Sequence, residues 1–470
     1  MRAQPLFVGG TSSNAGKSWM ATAICAWLRR RGVAVAPFKA QNMSNNSYPC
    51  RQGGEIGRAQ VVQAEACGLE PELAMNPILL KPNGNGTSQV VVDGYAWKTL
   101  PPRGYYQHAG ELRGRVLAAY EHLARRFDVV VIEGAGSVTE LNLRQSDLVN
   151  LDLVTRLHAP WLLVADIERG GVFASVHGTI DLLTADERRL LRGFAINKFR
   201  GDASLFEDGV RMLETRTGSH CFGVFPYERD IAIDAEDSLA LRTDPRSPAP
   251  PGARIAIVRF PSLSNATDFR LLTWADWIVS PPLADYDFVI LPGTKSSIGD
   301  LSWLHACGLS QWVLAQRSRG ATIVGICGGY QMMGHIIHDP HAVESGGGSA
   351  PGLGLLPVAT VMKAVKRTEV RTATTQRGVR FTGYEIHMGD TEIQDQSIQP
   401  FASLEGGGSD GVCLPGAIGT YLHGALENPD VCAELFGVPI GALTPKRDQY
   451  ERLADWFERH GRGLDRLLTM

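Results

Sequence analysis

Gly10-Thr11-Ser12-Ser13-Asn14-Ala15-Gly16-Lys17-Ser18 stands between a strand-like Leu6-Phe7-Val8 and a helix-length segment, 18–31. A loop of this kind turns its backbone N–H groups toward an anion at a helix start, with a lysine for the outer phosphates and a hydroxyl for magnesium. It commits its surroundings to a strand, a loop and a helix, and the strand to a sheet that helices cover. Apolar runs at 33–37, 128–132, 161–165, 193–196 and 223–225 continue the pattern, alternating with helix-length stretches such as 111–126. That alternation predicts a parallel sheet buried on both faces.

The alternation breaks at 242–252, where four prolines in Arg-Thr-Asp-Pro-Arg-Ser-Pro-Ala-Pro-Pro-Gly disfavour both helix and interior strand. It restarts with 254–259, 288–291 and 322–325. At 470 residues the chain is long enough for two full cores. The fold class expected is therefore α/β in two domains, 1–241 and 253–436, joined by a linker at 242–252 and followed by an extension at 437–470. In that extension Leu453, Trp456, Phe457, Leu464 and Leu467 lie among charges and predict one or two amphipathic helices. These would pack on a domain or on a second copy of the chain, which keeps a homo-oligomer open. The net charge of −3 with mixed signs offers no basic stripe for nucleic acid. No apolar run approaches the roughly 20 residues of a membrane-spanning helix, and no signal-peptide pattern follows Met1. A soluble, cytoplasmic protein with neither nucleic-acid nor membrane partners is expected. The eight cysteines show neither C-x-x-C pairs nor zinc spacing, so no disulfide framework or structural metal is indicated.

Within the first loop, Gly10, Thr11 and Gly16 are placed to cradle phosphates, Lys17 to reach the outer ones and Ser18 to bind Mg2+. The two glycines enclose five residues rather than the usual four. Glu133 ends the run 128–132 ahead of Gly134-Ala135-Gly136-Ser137, at the strand end where parallel sheets bind ligands, and is read as the second magnesium ligand. Lys39 is read as neutralising charge on a transferring phosphoryl group, and Asn197 as meeting the nucleotide base. The five-residue spacer, Lys39, the Glu-Gly-Ala-Gly-Ser string and Asn197 together resemble the dethiobiotin synthetase-like ATPases. This implies ATP and Mg2+ as cofactors, no tightly bound organic group, and activation of a substrate carboxyl group. The partition-type ATPases carry a second lysine early in the loop; this chain has Ser12, which speaks against a dimeric switch ATPase.

Late in the chain, Gly325-Ile326-Cys327-Gly328-Gly329 sets a cysteine between glycines, after the apolar 321–324 and before a helix-like 330–333. This is the thiol form of a nucleophile elbow, with the side chain raised on a sharp strand-to-helix turn and the helix start favouring thiolate. Cys327 is the expected nucleophile and His423, in Tyr421-Leu422-His423-Gly424, the expected base, with His387 as its rival. Backbone N–H groups of Gly328 and of Gly293, in Leu291-Pro292-Gly293-Thr294-Lys295, are the expected oxyanion donors. Over residues 252–436 these strings resemble the class I, triad-type glutamine amidotransferases, which implies L-glutamine as substrate and ammonia as the product of this site. One position departs from the family. The triad glutamate belongs two residues after the histidine, where this chain has Ala425. Cys327 and His423 are therefore expected to act as a dyad or to borrow another orienting group such as Glu427, with weak glutaminase activity or dependence on the partner domain.

The segment 38–47 is rich in amides, including Gln41, Asn42, Asn45 and Asn46, and a helix-like 55–66 follows with Arg58, Gln60 and Gln63. Amides both donate and accept, so these residues are expected to form a surface for a ligand rimmed with carboxylates and carboxamides. Together with 76–82, Glu140-Leu141-Asn142-Leu143 and 165–173, they resemble the cobyric acid synthase family over nearly the whole chain. The resemblance implies a ligase of cobalamin biosynthesis. Its ATP- and glutamine-dependent reaction amidates the b, d, e and g carboxylates of a corrinoid, adenosylcobyrinic acid a,c-diamide, through acyl phosphates. Cobyrinic acid a,c-diamide synthases share the architecture and stay open as an alternative. So does a nucleotide-gated binding or partition module with an inert second domain, against which Ser12, Cys327 and His423 speak.

Overall fold

The computed structural model describes residues 3–82, 86–228, 230–231, 233, 249–344, 347–395, 397–443 and 446–468. The chain divides into two compact units, Met1–Glu236 with Lys446–Met470, and Asp237–Pro445. Most of the proline-rich stretch expected as a linker, 242–248, lies outside the described residues. Among the described residues no helix is long and apolar enough to cross a membrane.

Six parallel strands form the main sheet of the first unit, in the order His220–Pro226, Leu191–Phe199, Trp161–Asp166, Gln4–Gly10, Val129–Glu133, Val35–Phe38. Leu6, Phe7, Val8, Val130, Val131, Ile132, Leu162 and Leu163 are wholly buried, as the unbroken apolar runs of a doubly covered sheet require. The register sets Val8 beside Glu133 and Gly10 beside Val164. The loop after Gly10 thus emerges between the carboxyl ends of two neighbouring strands, and the acidic end of one of them lies next to it. This is where open parallel sheets place their ligands.

Beside it lies a smaller sheet of Gln41–Met43, Ile78–Pro82, Ser88–Val92 and Tyr95–Leu100. Next to these strands Lys81 is buried against Glu55 and donates to Ser47 Oγ at 2.8 Å, so its charge is compensated within the fold.

The last long helix, Lys446–His460, belongs to this first unit. Tyr450, Leu453, Ala454, Trp456 and Phe457 are buried at helical spacing. Trp456 meets Trp19 edge-on with ring centroids 5.8 Å apart, and Phe457 stacks on Phe225 at 5.6 Å. Arg29 and Arg30, in the last turn of the helix Lys17–Arg30, pair with Glu451, Asp455 and Glu458. The stretch expected as one extension, 437–470, is therefore split. Val438 and Leu443 join the core of the second unit, whereas Tyr450 to Leu467 supply apolar side chains to the first.

The second unit has its own six-stranded sheet, ordered Asp276–Ile278, Ile255–Val258, Phe288–Leu291, Thr322–Ile326, Ala417–Thr420, Val412–Leu414, parallel except for the last pair. Thr322–Ile326 is central in it and runs directly into Cys327. A long hairpin of Val358–Thr375 and Arg380–Ile393 forms the heart of a second sheet. An isolated bridge from Tyr384 to His423 ties that hairpin to the segment following Ala417–Thr420.

Candidate functional site

Cys327 has φ 51° and ψ −110°, a conformation a residue with a Cβ holds only under constraint. Its N–H donates to Thr420 O at 2.8 Å and its carbonyl accepts from Gln331 N–H at 3.1 Å. A Cβ on Gly329 would overlap Leu291 O, so the turn can be this sharp only with glycine behind the cysteine. The thiol is 5% exposed and lies 3.8 Å from Ile386 O.

His423 is wholly buried, and the Cys327 sulfur acts on its charge. On its other side Nδ1 meets Asp268 Oδ2 at 2.7 Å, while Asp268 Oδ1 accepts the Gly424 N–H at 2.8 Å. Tyr384 stacks on the ring with centroids 5.2 Å apart, and Asn265 Nδ2 lies 3.3 Å from Nε2. Burial works against charge on the ring, but the Asp268 carboxylate and the Cys327 sulfur outweigh it and raise the pKa to about 10. The imidazole therefore keeps its proton at neutral pH, next to the sulfur.

Asp268 occupies the orienting position that Ala425 leaves empty, and the expected candidate does not. Glu427 faces Arg270 instead, at 3.7 Å, because the turn Ala425–Glu427 carries it to that cation. Nothing in the sequence pointed to Asp268, which lies 155 residues before its histidine in a turn, Ala266–Phe269, without motif spacing. His387, the rival base, is held otherwise. Its Nδ1 is 2.7 Å from Gly389 O, its ring stacks on Tyr421 at 3.8 Å, and burial lowers its pKa to about 4. Both glycines expected at the oxyanion lie in tight quarters here. A Cβ on Gly293 would come within 2.7 Å of His423 Cε1, and one on Gly328 within 2.6 Å of Thr294 Cγ2.

In the first unit the loop 10–18 closes around its own lysine. Lys17 Nζ donates to Ser12 O at 3.0 Å and to Gly136 O at 2.7 Å. Glu133, 1% exposed, accepts from Ser18 Oγ and from Lys39 Nζ, each at 2.8 Å, and from Gln63 Nε2. Burial pushes its pKa up, but Lys39, Ser18 and Gln63 more than reverse this, and the carboxyl stays ionised. A carboxylate and a hydroxyl side by side at the foot of a phosphate loop are hard oxygen donors suited to Mg2+. Among the described residues no group of three or more His, Cys, Asp or Glu side chains could hold a metal. Asn197, expected at the nucleotide base, sits under the loop. Its Nδ2 donates to Ala15 O at 3.0 Å, and a Cβ on Gly16, at φ 98°, would overlap it.

The amide-rich segment departs most from expectation. Asn42, Asn46, Arg58, Gln60 and Gln63 are at most 2% exposed, so they do not form the open surface expected; Gln41 and Asn45 are partly exposed. Two of the buried amides tie the helix Arg58–Cys67 to its surroundings: Asn42 Nδ2 donates to Gln60 Oε1 at 3.2 Å, and Gln63 to Glu133; the backbone N–H of Arg58 donates to the backbone carbonyl of Asn46 at 3.1 Å. Each pairing uses one end of the amide only: Asn42 Oδ1, Gln60 Nε2 and Gln63 Oε1 are buried without a hydrogen-bond partner among the described residues. Gln41 accepts from the Tyr105 hydroxyl and lines a cavity of about 300 Å³ that reaches Gly136 and Ser137.

Residues 6–240 match the CobQ/CobB/MinD/ParA nucleotide binding domain family, and residues 254–431 the CobB/CobQ-like glutamine amidotransferase domain family. The chain is 42% identical to the cobyric acid synthase of Dehalococcoides mccartyi strain CBDB1, covering 97% of this chain and 94% of the relative. It is 44% identical to that of Bacteroides fragilis strain YCH46, covering 97% and 96%, and 44% identical to that of Rhodococcus jostii strain RHA1, covering 90% and 84%. Among solved structures, a glutamine amidotransferase aligns over 43% of this chain and 98% of its own length, with 16% identity and a TM-score of 0.30.

Proposed function

The chain belongs to the cobyric acid synthase family, and on that footing we propose how its two units divide one glutamine-dependent amidation. It is an amidating ligase that draws nitrogen from glutamine and uses ATP. The observation that carries the division is the buried row Asp268, His423, Cys327 at a strained elbow in one unit, with Lys17, Ser18 and Glu133 gathered at a phosphate loop in the other.

In the amidotransferase unit, Cys327 reacts as thiolate on the glutamine carboxamide carbon because His423 holds the proton beside it. The oxyanion is received by the N–H groups of Gly293 and Gly328. His423 gives its proton to the departing ammonia, then takes one from the water that hydrolyses the thioester, releasing glutamate and the free thiol. Asp268 keeps the ring oriented and stabilises its charged form. In the synthetase unit, Gly10, Thr11 and Gly16 cradle the phosphates of ATP, Lys17 contacts the outer ones, and Asn197 shapes the loop from beneath. Ser18 and Glu133 would hold Mg2+, which when bound supplies charge neutralisation on the phosphate oxygens. Lys39 adds a second cation there. A corrinoid carboxylate takes the γ-phosphoryl group, ADP leaves, and ammonia displaces phosphate from the acyl phosphate to give the carboxamide. The substrate is adenosylcobyrinic acid a,c-diamide, amidated four times.

Mass spectrometry of that corrinoid after incubation with ATP, magnesium and glutamine tests this. Four added amides are expected; two on cobyrinic acid would point to the diamide synthases, and none would remove the reading.

Asp268→Asn keeps the shape and removes the charge. Glutamine-dependent turnover is expected to fall roughly 10²–10⁴-fold, with ammonium-dependent synthesis unaffected. Because the carboxylate raises the His423 pKa to about 10, its loss lowers that value, so the alkaline limb of the glutaminase profile should move to lower pH. A profile identical to wild type would show that Asp268 does not act on the histidine.

A further inference from the structure

Most of the amide side chains expected to hold the corrinoid are buried, yet a large ligand must bring its carboxylates to the phosphate loop. The cavity of about 300 Å³ in the first unit adjoins the segment 135–138, which touches that loop through Gly136. Gly136 and Ser137 form one wall, and Gly136 O is the 2.7 Å acceptor of Lys17 Nζ, so a group in the cavity is one residue away from the phosphate-binding lysine. Asn150 makes that wall firm: its Oδ1 accepts from Ala135 N–H at 3.0 Å and its Nδ2 donates to Ala135 O at 2.8 Å. Among the lining side chains, Tyr106, Leu141 and Leu143 are large, apolar and 40%, 45% and 36% exposed. Gln41 also lines it, and Met43, 55% exposed, follows two residues along the same strand and so shares its face. Of the charged lining groups, Glu140 is exposed and Arg144 and Asp147 are engaged elsewhere. Arg144 Nη2 pairs with Glu187 at 2.5 Å, and Asp147 Oδ1 accepts the N–H groups of Val149 and Asn150 at 2.9 Å.

We infer that Tyr106, Leu141, Leu143 and Met43 form the platform on which the corrinoid macrocycle rests, while one carboxylate arm at a time enters the cavity to meet the phosphate loop. This rests on the proposed corrinoid amidation. Pockets that enclose drug-sized ligands measure about 300–1,000 Å³. A cavity at the low end of that range admits an acetate or propionate arm and leaves a corrin ring outside. Apolar contact has no preferred direction, so the ring can be released and set down again rotated, with a different arm inserted. An arginine clamp would favour one pose. A single phosphate loop thereby serves several carboxylates at different places on one rim.

The test uses the full chain with Leu141→Ser/Leu143→Ser, with Tyr106→Ser on a separate helix, and with Leu141→Met/Leu143→Met as the apolar control. Binding of adenosylcobyrinic acid a,c-diamide is followed by equilibrium dialysis and its visible absorbance, and amidation by steady-state kinetics with ammonium. The serine variants are expected to raise the Kd and KM for the corrinoid roughly ten- to hundredfold, with the KM for ATP and the glutaminase rate unchanged. The methionine variant should stay near wild type, since it keeps the apolar contact. Unchanged corrinoid parameters in the serine variants, or a parallel rise in the KM for ATP, would refute the platform while leaving the amidation reading in place. A wild-type protein that neither binds nor amidates the corrinoid would instead remove the reading on which the platform rests.

Discussion

Cys327→Ala is expected to lower amide formation from glutamine by at least about a thousandfold while synthesis from ammonium salts continues near the wild-type rate. The thiol supplies the only bond to glutamine in the proposed sequence, so its loss stops ammonia release outright. The synthetase unit has its own core and its own ligand groups, none of which involves Cys327. The substitution also removes a buried partner of His423 without inserting bulk, at a residue already 5% exposed, so the fold should survive. Paired assays with glutamine and with ammonium check this. Loss of both activities in a folded variant would mean that the thiol is not confined to nitrogen release.

Lys17→Ala is expected to cost about 10³-fold in product from either nitrogen source, because phosphoryl transfer rests on positioning and charge with little covalent help from the protein. Lys17 is 7% exposed and clasped by two carbonyls, Ser12 O and Gly136 O, which join the phosphate loop to the Glu-Gly-Ala-Gly-Ser segment. Its removal deletes the cation and loosens that clasp together. Lys17→Arg should rescue little, since a planar fork does not fill a site shaped for a compact ammonium. The thiol of Cys327 should keep its basal glutaminase activity in both variants. ADP release and corrinoid product, measured with ammonium, decide the matter; near wild-type turnover in Lys17→Ala would dismiss the nucleotide-site assignment.

What the sequence determined alone was local chemistry. A phosphate loop is a strand end, a small-residue turn and a helix start in consecutive residues, and so is a cysteine elbow. Their steric demands can be read from neighbours: glycine must follow Cys327 because Leu291 O leaves no room for a Cβ at Gly329. The amphipathic spacing of Leu453, Trp456 and Phe457 was likewise legible. Its partner was not, since any apolar face would serve the spacing, and the fold chose the helix Lys17–Arg30 some 420 residues earlier, with ion pairs between Arg29 and Glu451 at a separation of 422. The amide-rich segment shows the same limit from the other side. Gln60 and Gln63 read as a polar surface, and only the packed structure shows Asn42 and Glu133 meeting one end of each amide while Gln60 Nε2 and Gln63 Oε1 stay buried without a partner among the described residues. Asp268 is the sharpest case. Its place beside His423 depends on a bridge from Tyr384 and on two segments 155 residues apart in the chain coming together. Residue type and spacing encode what a group can do, but which group stands opposite it is decided by long-range packing, and that has no signature within the segment itself.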